Sequence, residues 1–192
     1  MKELSEMTME ELWELFPIIL KEYQQDYPSW YELEKSELLA DFKEGTIVRI
    51  NHIGSTAIPG ILSKPTIDIL MEIASDSDIR EITEKLISLQ WILMNESKEP
   101  FFKQTYNKGY TKYGFAEKVY HLHVRFADDW NELYFRDYLN EHTRIAKEYS
   151  SLKSQLKQQY EHNREAYTDG KAEFVRKVSE LAKEEYGKRY MV

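Results

Sequence analysis

Thr8 and Glu11 stand three residues apart, ahead of apolar positions at Leu12, Leu15, Phe16, Ile19 and Tyr23. This is a capping box followed by helical spacing. Pro17 falls inside the run and is expected to kink or restart the helix there. A second helix is predicted from Pro28-Ser29 through Leu33, Leu38 and Leu39 to Gly45, which suits a C-cap. Short β-branched runs then replace the helical period. Thr46–Ile50 and Thr66–Ile73 read as strands, the second apolar on both faces apart from Asp68 and Glu72, as a central strand would be. Ser75 to Asp78 cap a helix carrying Ile79, Ile82, Leu86 and Leu89, and Trp91 to Met94 read as a third strand. Phe101–Tyr106 and Tyr110–Tyr113 suggest a hairpin turning at Asn107-Lys-Gly109, and Val119–Phe126 is the next strand. From Trp130 onward the pattern is helical, near Asn131–His142, near 143–163, and from Lys171 to Arg189. The order predicts an α+β domain with a helical tail. No 20–50-residue repeat interrupts it.

Composition narrows the function classes. The 192 residues include 26 Lys and Arg against 34 Asp and Glu, a net charge of −8, and no cysteine. Zero cysteine excludes disulfides, thiol catalysis and thiolate metal sites. With 42% hydrophobic residues the chain can build a core. The acidic N-terminus lacks a signal-peptide pattern and no apolar run reaches 18 residues, so a cytoplasmic protein without membrane attachment is expected. The charge is graded, at net −7 over residues 1–50, −4 over 51–141 and +3 over 142–192. Duplex DNA, which needs a basic face, is not an expected partner. A small anionic ligand needs only a few local cations.

The run from His52 to Ile69 carries the most chemistry. A strand leads into Gly54-Ser55-Thr56, a small-residue turn able to present backbone N–H groups to an anion. The chain returns as a strand bearing Asp68 near where the turn began. A phosphate cradle beside a metal-binding carboxylate is minimal equipment for phosphoryl or nucleotidyl transfer. On residue types alone, Gly54 and Gly60 serve equally as turn residues, and Asp68 as a strand-end hydrogen-bonding group.

The same run, His-Ile-Gly-Ser-Thr-Ala-Ile-Pro-Gly-Ile-Leu-Ser-Lys-Pro-Thr-Ile-Asp-Ile, strongly resembles the hallmark of the GrpB-like family. Further resembling blocks are Tyr120-His-Leu-His-Val124, Phe135-Arg-Asp-Tyr-Leu139, Tyr149 with Leu152-Lys153, and Tyr167 followed by Lys171 and Phe174. The resemblance covers about residues 28–185. It implies a polymerase-β-like nucleotidyltransferase fold, an α+β mixed sheet with N-terminal helices and a C-terminal helical lobe. Residues 1–27 are then an N-terminal helical extension and 28–192 the family domain, with its sheet core at about 46–127 and its lobe at about 130–190. It also implies a nucleotide triphosphate ligand with a divalent metal (Mg, Mn or Zn), and transfer of NMP to an acceptor of unknown identity. The alternatives are a non-catalytic module binding a nucleotide, RNA end or other anion, and a metal-dependent Asp/His hydrolase.

This chain departs from the superfamily pattern at one position. Counting from Gly54-Ser55, the Asp-x-Asp slots fall on Thr66 and Asp68, so one carboxylate is present where two magnesium ions normally need several. His121 and His123, two apart on a strand, point the same way and are candidate completers of a metal or acid/base site with Asp68; His52 is a further candidate ligand. Partly buried histidines satisfied by their neighbours are the plainer alternative. Gly54, Ser55, Thr56, Lys64, Arg136 and Lys171 are the candidate phosphate-binding residues. Lys153 is expected on the solvated surface. Arg125 is expected on the sheet face opposite His123. Tyr138, Tyr149 and Tyr167 are expected to be core or interface aromatics sooner than base-stacking ones.

Overall fold

The computed structural model describes residues 2–192. Helix α1 (Met9–Leu15) opens with both halves of the capping box formed between Thr8 and Glu11. It stops one residue before Phe16, whose backbone (φ −124°, ψ 64°) is non-helical because the following Pro17 excludes the α conformation. No restart follows. Residues 17–26 run on as a non-helical segment, pinned where Lys21 and Ser63 exchange backbone hydrogen bonds of 2.9 Å. Helix α2 (Tyr27–Asp41) carries Pro28 in its first turn and buries Tyr27, Tyr31, Glu34 and Leu38, one face at helical spacing.

Five strands form one mixed sheet in the order β1-β2-β5-β4-β3. They are β1 (Ile47–Ile53), β2 (Ile67–Ile73), β3 (Ile92–Ser97), β4 (Lys103–Thr111) and β5 (Gly114–Phe126). Only β2 and β5 run parallel; the other neighbouring pairs are antiparallel. Helix α3 (Ile79–Ser88) lies between β2 and β3 in the chain, and the Asp78 carboxylate caps it by accepting from the Arg80 and Glu81 N–H groups. Strand alternation then sorts the side chains. Ile67, Ile69, Met71 and Ile73 of β2, with Tyr120, Leu122 and Val124 of β5, pack against Tyr27, Tyr31 and Leu38 of α2 and Ile82 and Leu86 of α3. The other face, carrying Asp68, His121 and His123, looks toward α4 (Asn131–Glu141), α5 (Thr143–Tyr160) and α6 (Arg164–Tyr186). Those three helices share a second core of Tyr134, Phe135, Tyr138, Leu139, Ala146, Tyr149, Val178 and Ala182. The α+β class, mixed sheet, N-terminal helices and C-terminal helical lobe are as expected.

Two further elements differ from expectation. The β4–β5 hairpin turns at Lys112-Tyr113, with Thr111 facing Gly114, and Asn107-Lys-Gly109 lies inside β4. Gly109 (φ +88°) sits at a register shift where a side chain would strike the Lys118 carbonyl, so the glycine marks a bulge and not a turn. Helix α6 begins at Arg164, seven residues before the expected Lys171, with Asn163 capping the Ala166 N–H at 3.0 Å. Among the described residues no helix is long and apolar enough to cross a membrane.

Candidate functional site

A cleft of about 970 Å³ lies between the sheet and the lobe. Asp68 stands at the start of β2, where Gly54, at the end of β1, turns with φ +70°. A Cβ at Gly54 would come within 2.3 Å of the Asp68 Oδ2, so the bare backbone of the turn and the carboxylate occupy one closely packed unit. The parallel pairing of β2 and β5 sets Asp68 directly beside His121. Asp68 Oδ1 is 3.1 Å from His121 Nδ1 and 3.8 Å from His123 Nε2, the second too long for a hydrogen bond.

The hydrogen-bond chain continues through residues that sequence reasoning did not single out. Arg164 Nη2 donates to the Tyr110 hydroxyl at 3.0 Å, and that hydroxyl lies 2.7 Å from His121 Nε2. The Tyr110 hydroxyl therefore donates a hydrogen bond to Nε2, and His121 carries its proton on Nδ1, facing Asp68. Burial, only partly opposed by Asp68, lowers the His121 pKa and favours this neutral form. Burial pulls the Asp68 carboxyl upward, but the His121 hydrogen bond and the nearby His123 ring outweigh it and hold the group well below its usual range.

Positive charge gathers around this pair. Lys153 of α5 is buried, and its ammonium donates to Ser55 Oγ at 2.9 Å and to the Leu62 carbonyl. The expectation of a solvated Lys153 is corrected, because the helix turns this residue inward against the Gly-Ser turn. Lys64, Arg164 and Lys171 line the same cleft. Among the described residues none of these four cations has a carboxylate within ion-pairing distance. Burial first, then mutual repulsion, with Arg164 foremost for Lys64 and Lys171 foremost for Lys153, pushes both ammoniums down to about 7. Lys171 is lowered for the same first reason, burial, although Asp68 opposes the shift. A cluster of cations facing one carboxylate is chemically suited to an anion.

Other candidates fall elsewhere. His52 pairs with Ile69 and so lies on the sheet face opposite Asp68. It stacks on Tyr31 with ring centroids 4.9 Å apart, and its Nε2 meets Thr56 Oγ1 at 2.9 Å. Burial pushes His52 down to about 4, so it is a neutral core histidine and not a fourth ligand beside Asp68. Thr56 is buried, its hydroxyl donating to the Thr66 carbonyl. Arg136 braces the lobe: it pairs with Asp137 at 2.7 Å and donates to Asn51 Oδ1 and the His52 carbonyl, away from the cleft. Arg125 corrects the other way. It is two residues from His123, shares its face and lines the cleft, although Glu132 pairs with it at 2.7 Å. Tyr138 packs in the lobe core, and Tyr149 and Tyr167 are buried cleft walls under Lys153 and Lys171, whose ammoniums sit 4.5 Å from the respective ring centroids.

A second carboxylate on the same β2 face, Glu72, is closed off. It is fully buried and gripped by Arg49 through both oxygens, at 2.5 and 2.7 Å. Among the described residues no group of three or more His, Asp or Glu side chains is arranged to hold a metal ion. The donor set does not fit a two-magnesium centre. Asp68 supplies one carboxylate, which suits a single hard cation sooner than a pair.

The comparisons agree with the motif. The family model described as GrpB protein matches residues 17–181. The glutamate-rich protein GrpB of Alkalihalophilus pseudofirmus is 34% identical over 167 residues, 84% of this chain and 93% of that protein. The UPF0157 protein YqkA of Bacillus subtilis is 31% identical over 84% of this chain, which spans only 46% of YqkA. The solved structure of GrpB from Enterococcus faecalis superposes with a TM-score of 0.74 at 27% identity, covering 88% of this chain and 99% of that one.

Proposed function

This chain belongs to the GrpB protein family, and from that premise we propose that its cleft binds the polyphosphate of a nucleoside triphosphate and delivers NMP to an acceptor. One observation carries the reading: Lys64, Lys153, Arg164 and Lys171 converge on Ser55 and Asp68 without carboxylate partners among the described residues. A triphosphate supplies the missing negative charge, and ammonium and guanidinium donors suit its oxygens. The sheet side contributes Ser55 and Lys64; the lobe contributes Lys153, Arg164 and Lys171. A divalent ion, magnesium or manganese, would be held by Asp68 and the phosphates, adding Lewis-acid polarisation. Transfer needs an acceptor hydroxyl to attack the α-phosphorus while pyrophosphate leaves. His123 would take the hydroxyl proton, because Asp68 is held well below its usual range and would be engaged by the ion, and His121 has both ring nitrogens engaged.

Thr66 in the first Asp-x-Asp slot favours a second reading, in which the cleft holds the nucleotide without turning it over. Calorimetric titration of ATP, CTP, GTP and UTP with magnesium, manganese or zinc, alongside pyrophosphate release, separates the two. Saturable binding that Lys153→Met weakens at least tenfold supports the site. Pyrophosphate release abolished by Asp68→Asn supports transfer, and binding without release supports the module. Failure of all four nucleotides to bind refutes both readings.

A further inference from the structure

Behind Lys64 and Arg164 of the cleft lies a second cavity, of about 440 Å³, within the range of small-molecule pockets. The non-helical segment after α1 forms one side of it, fixed by the Lys21–Ser63 bridge. Trp30 and Phe115 supply flat apolar walls, and both keep partial exposure. Asp26 and Gln24 place polar groups in its lining. Lys64 and Arg164 line this cavity and the cleft alike, and neither has a carboxylate partner among the described residues. Tyr110 lines it too, while its hydroxyl bonds His121 on the cleft side.

We propose that this cavity is a separate binding site for a nucleoside monophosphate. Its planar base lies against Trp30 and Phe115, its base edge meets Asp26 and Gln24, and its phosphate reaches the Lys64–Arg164 pair. Aromatic walls hold a π-face whatever its identity, so the site selects a ring joined to an anion before it selects among bases. Two cations match the two charges of a phosphate monoester. A ligand here lies one side chain, Tyr110, away from His121. The proposal depends on the reading of the cleft only through the two shared cations.

The test is calorimetry on the full chain with AMP, GMP, CMP and UMP, with ribose 5-phosphate as the ringless control and inorganic tripolyphosphate as the probe of the cleft. At least one monophosphate should bind tenfold or more tighter than ribose 5-phosphate. Ala116→Trp, at an exposed position of β5 lining the cavity, should fill it and weaken that binding at least tenfold, leaving tripolyphosphate within twofold. Phe115→Leu, which removes the ring face and keeps an apolar side chain, should weaken monophosphate binding in the same selective way. Equal binding of ribose 5-phosphate and every monophosphate, monophosphate affinity unchanged in both variants, or no monophosphate binding would each overturn the proposal. Monophosphate binding sensitive to Ala116→Trp, with tripolyphosphate failing to bind, would uphold this site and overturn the reading of the cleft. The converse result would do the opposite.

Discussion

Gly54 and Asp68 form one device: the turn needs a left-handed backbone, and the carboxylate occupies the space a side chain would take. Gly54→Ala should therefore lower stability by about 1–3 kcal/mol through backbone strain, and should weaken nucleotide binding by displacing Asp68. Urea unfolding with calorimetry checks both effects, and a variant with wild-type affinity would separate the carboxylate from the turn. Lys64 and Lys153, lowered to about 7, make binding depend on pH. A polyanion favours their protonated forms, so affinity should fall as pH rises through 7 toward 9, and the complex should take up protons. Titration in buffers of different ionisation enthalpy measures that uptake; affinity flat from pH 6.5 to 9 would contradict it. The same shifts carry a stability sign. Between 7 and the ordinary lysine value the unfolded chain binds more protons, so these two groups make the unliganded protein more stable as pH rises across that window. Lys153 was illegible in sequence because a helix lysine reads as solvated until a partner, here Ser55, is brought to it.

Helix α6 shows why an element boundary can hide a cleft residue. Gly170 lies inside it, and glycine costs roughly 1 kcal/mol against alanine in a helix interior, so the sequence pattern starts only at Lys171. Packing overrides that cost: a Cβ at Gly170 would meet Leu156 Cδ2 of α5 at 2.4 Å, so the glycine lets the two helices close together. The two turns gained bring Arg164 to Tyr110. Strands β1 and β2 are tied by another pairing the sequence pattern does not disclose. Arg49 donates to Glu72 and also to the Tyr190 and Asp128 carbonyls, joining both strands to the start and the end of the lobe. Arg49→Leu would leave the buried Glu72 charge unpaired and should cost about 3–5 kcal/mol, read from the urea midpoint at neutral pH. A loss below 1 kcal/mol would show that the pair is replaceable by packing.

At the scale of the molecule, the sheet and lobe have separate cores, and the cleft between them is lined by charge from both. A ligand bridging Ser55 and Lys64 to Lys153, Arg164 and Lys171 should lock the halves together. Tripolyphosphate at a hundred times its Kd should raise the free energy of unfolding by about 2.7 kcal/mol, measured by denaturant titration. Lys153→Met, with its Kd raised at least tenfold, should forfeit about half of that gain or more at the same phosphate concentration. Local pattern alone determined the α+β class, the identity of most helices and strands, and the pairing of a Gly-Ser turn with Asp68. These features depend on residues close in the chain: caps, alternation and a short return loop. The tertiary structure decided the rest. It sent His52 to the opposite face, turned Lys153 inward, spent Arg136 and Glu72 on bracing, and brought Tyr110 and Arg164 into line with His121. Those outcomes rest on strand register and on helices packing from 54 to 98 residues away, and a side chain's role there is set by which partner arrives at hydrogen-bonding distance.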